Sequence, residues 1–197
     1  MLSFEINLKI FLLGCNDTGR SEFILRFSNE DFPTSCLSTI GVENKTKQIN
    51  IDDLDININI WTTSGQEKFR SFPKSFFSSS DGIILLYDIT NRESFYHLKN
   101  YYLEFQDCSK NDKCIIAGIN LDLKDKREVP RKKVELFCQK NHLEEIEVST
   151  KLGTNIDECV EKLVKLIIGN QSKVELIKKY KGKINIKHFK LQKYISF

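Results

Sequence analysis

Four short apolar runs, at residues 6–13, 56–61, 82–88 and 113–118, recur along the 197-residue chain with segments of helical period between them. A fifth, shorter run lies at 145–148. Runs that are apolar at nearly every position suit strands covered on both faces, and their alternation with helices suits a parallel sheet joined by crossovers. Leu54, Ile56, Ile58 and Ile60 alternate with Asp55, Asn57 and Asn59, so this strand has a period of two. Across DDLD, residues 48–51 read as its antiparallel hairpin partner. Helices are expected at 21–27, 94–107, 131–140 and 155–168. The last carries Ile156, Val160, Leu163, Val164, Ile167 and Ile168 on one stripe, with Thr154 or Asn155 as its cap and Gly169 as its end. Asn91, before RESF, is placed to cap another. The expected class is α/β, a mostly parallel sheet with helices between its strands.

A chain of this length fits one domain with a tail. The formal charge of +3 conceals a division: residues from 169 onward carry eight Lys against one Glu, which leaves residues 1–168 at −4. The basic character therefore belongs to the tail. The six cysteines, Cys15, Cys36, Cys108, Cys114, Cys138 and Cys159, form no CxxC pair and no regular framework, which suits buried thiols in a reducing compartment. Residues 1–11 include Glu5 and lack the long apolar centre of a signal peptide. No apolar run approaches the roughly 20 residues that span a bilayer.

One stretch carries chemistry. GCNDTGRS, residues 14–21, follows the first strand and precedes the first helix. A strand, a tight glycine loop and a helix N-terminus make an anion cradle, because backbone N–H groups point inward and the helix dipole adds positive potential. Gly14 and Gly19 free the backbone to turn, Arg20 faces a phosphate, and Ser21 offers a hydroxyl to a metal. Cys15, Asn16, Asp17 and Thr18 form the loop between the glycines. The same residues also suit an ordinary strand-to-helix turn. Arg20 stands where such loops carry Lys, and a broad planar fork is not equivalent to a compact ammonium. Asp17 adds a carboxylate that opposes anion binding unless it points away.

Later motifs are more specific. STIGVENK at 38–45, WTTSGQEKFRS at 61–71, YDITNRESF at 87–95 and EVSTK at 147–151 follow GCNDTGRS in order. With it they resemble the Rab branch of the Ras-like small GTPases, at family spacing, from about Leu8 to Ile168. The resemblance implies a P-loop small-GTPase fold with a six-stranded, mostly parallel sheet and helices on both faces. It makes residues 1–169 the G domain and 170–197 a basic tail. It implies GTP and GDP as ligands, magnesium as metal, and a switch that recruits effectors to vesicle membranes.

Carried over residue by residue, the nucleotide contacts are Gly14, Cys15, Asn16, Asp17, Thr18, Gly19, Arg20, Ser21, Thr39, Gly65, Asp122, Ser149, Thr150 and Lys151. Ser21 and Thr39 match the metal-binding hydroxyls, and Thr39 also senses the γ-phosphate. Gly65 matches the glycine whose N–H reaches the same phosphate, and Gln66 the catalytic glutamine that orients the attacking water. Asp122 matches the carboxylate that accepts two guanine N–H groups. Ser149, Thr150 and Lys151 match the last base-contact loop, with Thr150 in the family's alanine place.

Three departures touch phosphate, metal and base in turn: Arg20, Thr62 and Ile119. Thr62 stands where the family has an aspartate that holds magnesium through water, and a hydroxyl adds no charge to hold the cation. Ile119 stands at the asparagine of the family's Asn-Lys-x-Asp, which this chain writes INLD. A shifted register that recruits Asn120 places the amide two residues before Asp122 rather than three. Each such hydrogen bond is worth on the order of 1.5–3 kcal/mol, so three impaired positions weaken binding by several powers of ten. Weakened magnesium binding and slow hydrolysis follow, with a pseudo-GTPase scaffold as the other reading.

The resemblance also implies effectors on switch I (Cys36–Glu43) and switch II (Thr62–Lys74), an exchange factor and a GTPase-activating protein. Rab-like chains end in prenylated cysteines, whereas this sequence ends KYISF and its last cysteine is Cys159, so no C-terminal lipid is expected. The tail interleaves its lysines with Tyr180, Ile184, Ile186, Phe189, Leu191, Tyr194 and Ile195. It reads either as a solvated extension or as an anionic-membrane contact. Cytoplasmic, peripheral endomembrane placement is expected, and no motif calls for nucleic acid.

Overall fold

A computed structural model describes residues 4–15, 18–29, 42–51, 54–63, 77–108, 112–169, 171, 175–176 and 184–186. The first six strands are β1 (Phe4–Leu13), β2 (Val42–Ile51), β3 (Leu54–Thr63), β4 (Gly82–Asp88), β5 (Cys114–Ile119) and β6 (Glu144–Glu147). They lie side by side in the order β2-β3-β1-β4-β5-β6. Only the β2–β3 pair on this path is antiparallel; β3, β1, β4, β5 and β6 run parallel. The helices are α1 (Arg20–Phe27), α2 (Arg92–Cys108), α3 (Arg131–Asn141) and α4 (Ile156–Ile168), with a 3-10 helix at Leu121–Lys126.

The helices cover both faces, as expected. Phe23, Ile24 and Phe27 of α1 and the Ile156–Ile168 stripe of α4 join Ile6, Leu8, Ile10, Ile56, Ile58 and Ile60 in one core. Phe95, Leu98, Tyr102 and Phe105 of α2 and Val134 and Cys138 of α3 join Phe11, Leu13, Ile83 and Leu85 in the other. Adjacent strand residues point to opposite faces, so one continuous apolar run feeds both cores. Cys114, Cys138 and Cys159 are buried. Burial pushes the thiols of Cys138 and Cys159 up to about 12, so they are protonated packing groups.

Three boundaries differ from expectation. β2 extends over ten residues, back to Val42, rather than the four of the expected partner. Its outer residues, Asn44, Thr46, Gln48 and Asn50, are exposed, and Thr46 and Asn50 bond across to Asn59 and Asp55. An edge strand held by backbone pairing needs no apolar face, so its polar sequence hid it. Asn155 occupies the cap position of α4 in a left-handed conformation but makes no side-chain cap bond. Its amide Nδ2 instead donates to the Glu147 carbonyl at 2.8 Å, joining α4 to β6. By contrast Asn91 caps α2 as expected, accepting from the Glu93 N–H at 2.9 Å. Gly169 ends α4 with φ of 59°.

The third difference lies in the basic tail. Residues Ile184–Ile186 form a seventh strand, β7, antiparallel to β1, with Phe4 opposite Ile186 and Ile6 opposite Ile184. β4 meets β1 only from Ile10 onward, so the early residues of β1 have an edge left for β7. Among the described residues no helix is long and apolar enough to cross a membrane.

Candidate functional site

The carboxyl ends of β1, β4, β5 and β6 bring residues 14–15, 18–21, 88, 119–122 and 148–151 to one end of the sheet, where open α/β folds bind ligands. Gly14 leaves β1 fully buried. A Cβ there would run into Thr18 Oγ1 and lie 3.1 Å from Leu86 Cβ, so a larger residue does not fit without a shift. Thr18 is itself buried, and its hydroxyl donates to the Cys15 carbonyl at 2.6 Å. Its backbone N–H donates to the same carbonyl at 3.3 Å, so both Thr18 donors close the turn. Gly19 turns the chain into α1 at φ 61°, ψ 31°, the left-handed region that glycine tolerates best.

Arg20 and Ser21 are the first two residues of α1, both partly exposed at its positive end. Cys15 is half-buried beside them. A residue that sequence reasoning missed, Tyr101 of α2, lies near this loop. Burial above all raises its phenol pKa; Cys15 adds to the rise and Arg20 opposes it. Asn16, Asp17, Thr39, Gly65 and Gln66 lie outside the described residues, as do most of the two switches. Glu43 falls in β2, opposite Thr62 in β3.

The base end is densely tied. Ser149 Oγ donates to Asp122 Oδ1 at 2.6 Å, and Ser149 Oγ in turn accepts from the Leu152 N–H at 3.1 Å. The Leu121 N–H donates to the Val148 carbonyl at 3.0 Å, stitching the two loops together. Just beyond, Arg127 grips Glu147 through both guanidinium nitrogens at 2.7 Å, which pins the 3-10 segment to β6. Asn120 takes a left-handed conformation, φ 66°, ahead of that segment. Thr150 is buried and Lys151 exposed.

Ile119 closes β5 at 2% exposure, inside the α1–α4 core. Its Cδ1 would meet a Cβ at Gly19 at 3.2 Å, so the side chain lies against the phosphate loop. An apolar contact therefore joins phosphate loop and base loop at the position where an amide was expected. Arg26 makes a second link that no sequence pattern announced: its Nε donates to the Thr150 carbonyl at 2.9 Å and its Nη2 to the Lys151 carbonyl at 2.8 Å.

The metal end differs. Thr62 is 1% exposed, and its hydroxyl donates to the Leu12 carbonyl of β1 at 2.9 Å. That hydroxyl is committed to the sheet. Among the described residues no cluster of three or more His, Cys, Asp or Glu could hold a metal. At Thr62, then, the side chain brings no charge to a cation and its proton is already given to a backbone carbonyl.

The model of the Ras family matches residues 9–169. The chain belongs to the Ras family. Within it, the similarity is to Rab proteins. A Rab-1 from Theileria annulata is 32% identical over 169 residues, covering 85% of this chain and 77% of that protein. A Rab-18-B from Danio rerio is 37% identical over 163 residues, covering 82% and 79%. A Rab-8B from Pongo abelii is 33% identical over 158 residues, covering 80% and 76%. The sheet order, the helices on both faces and the glycine loop ahead of α1 are thus those of a Rab-like small GTPase.

Proposed function

We propose that this chain is a divergent Rab-like switch in vesicle trafficking that binds GTP and GDP with weakened hold on nucleotide and magnesium and hydrolyses GTP slowly. The observation that carries this reading is the retained carboxylate at the base end: Asp122 is oriented by Ser149 at 2.6 Å, and Gly14 of the loop leaves no room for a side chain. A carboxylate held by one hydroxyl retains lone pairs for two guanine N–H groups. Backbone N–H groups of Gly14–Ser21 and the start of α1 supply the phosphate cradle, with Arg20 as its side-chain cation. When bound, magnesium supplies charge neutralisation at the phosphates; Ser21 and Thr39 are the hydroxyls for it. Gln66 is the water-orienting residue. Effectors meet switch I (Cys36–Glu43) and switch II (Thr62–Lys74), and an exchange factor and GTPase-activating protein act on the same segments. The chain works in the cytoplasm, peripheral to endomembranes, with the basic tail as its contact with anionic lipid.

The Thr62 hydroxyl bonded to Leu12 favours a second reading, a scaffold that holds no nucleotide or stays in one state. One measurement separates the two. The protein is purified without added nucleotide and denatured, and the released small molecules are identified. Stoichiometric GDP or GTP overturns the empty scaffold; none released, with no binding of labelled GTP in magnesium, overturns the switch.

A further inference from the structure

Arg26 lies in the last turn of α1, the helix whose first residues close the phosphate loop. Its two bonds reach successive carbonyls, Thr150 and Lys151, 124 and 125 residues further along the chain. Its stem runs beside Gly153, which is left-handed at φ 73°; a Cβ there would lie 3.4 Å from Arg26 Cδ. The turn that Gly153 permits directs both carbonyls at the guanidinium. A planar fork with fixed N–H directions meets two neighbouring acceptors at once, which a lysine ammonium cannot do with the same geometry. The same loop carries Ser149, whose hydroxyl orients Asp122. A rigid path therefore runs from the phosphate loop through α1 and Arg26 to the base loop and Asp122.

From this geometry we infer that Arg26 is a positioning residue for base recognition: it holds the 149–153 loop in register with the phosphate loop, so that guanine and phosphates are gripped together. The inference rests on the nucleotide-binding reading above. Because Arg26 faces the base loop, its loss acts on the nucleoside half of the ligand and spares the polyphosphate half.

The test compares the full-length wild type with Arg26→Gln and Arg26→Lys. Affinities are measured for GDP and for tripolyphosphate, which has no base, and amide hydrogen exchange is followed at 150–154 without ligand. Arg26→Gln is expected to weaken GDP about tenfold, the worth of one charge-assisted hydrogen bond. Tripolyphosphate affinity stays unchanged, and exchange at 150–154 rises. Arg26→Lys keeps the charge but not the fork and stays close to the glutamine variant. Equal weakening of both ligands, or full rescue by lysine, overturns the inference. Unchanged GDP affinity and exchange in Arg26→Gln overturn it while the nucleotide reading stands. A wild type that binds no GDP overturns the nucleotide reading and base positioning with it; the exchange data then decide whether Arg26 holds the loop at all.

Discussion

The two ends of the candidate site are built in different ways. At the base end, Asp122 is fixed by Ser149, the 149–153 loop is held by Arg26, and Ile119 lies against Gly19. The lost amide at Ile119 is thus accompanied by other ties between the same loops. At the metal end, Thr62 stands where the family has a carboxylate, and its hydroxyl serves the Leu12 carbonyl inside the sheet. One end is tied by several contacts between its loops. At the other, a hydroxyl is turned to the sheet.

The largest expected effect breaks the better-built end. Asp122→Ala removes the acceptor for two guanine N–H groups and leaves Ser149 Oγ without its partner. GDP affinity should fall by about 100-fold or more, on the basis of roughly 3 kcal/mol for two charge-assisted bonds. A fluorescence titration showing unchanged affinity would sink the view that this end anchors the ligand. Next comes restoration of the weaker end. Arg20→Lys combined with Thr62→Asp should tighten magnesium-dependent GTP binding by about tenfold, or about 1.4 kcal/mol. The same variant should melt at lower temperature, since a buried aspartate faces the Leu12 carbonyl without a proton to donate. Flat affinity across a magnesium titration would show that the weakness lies elsewhere. The smallest effect sharpens the assignment of Thr62. Thr62→Val leaves the Leu12 carbonyl without its donor and should cost about 1 kcal/mol in urea denaturation. Magnesium dependence should not move; a change in it would return the hydroxyl to the metal.

Much of the sheet was legible because β4 and β5 are buried at almost every position and write themselves as apolar runs, while β3 alternates strictly. β2 was half hidden, since VENKTKQ along a sheet edge has no periodicity to betray it. The glycine loop, Asp122 and Ser149 could be placed from their order and spacing. The missing charge at Thr62 was visible too, but its bond to Leu12 was not, because that contact depends on β1 and β3 being neighbours, 50 residues apart. Arg26 left no signal beyond a basic residue late in a helix. Its partners are set by tertiary geometry alone. Cap chemistry split for a similar reason: Asn91 acts locally and was readable, whereas Asn155 was drawn away by the Glu147 carbonyl of a neighbouring strand.

The pairing of β7 with β1 gives the molecule two poles. The strands that open and close the described fold run side by side at the start of β1, and the glycine loop follows its other end. Ten residues of strand separate the two, about 30 Å at the usual rise. A dye or affinity handle attached beside β7 would therefore report from the far pole without crowding the cradle. Phe4 and Ile186 are cross-strand partners there, so a short linker from β7 back to β1 would suit circular permutation.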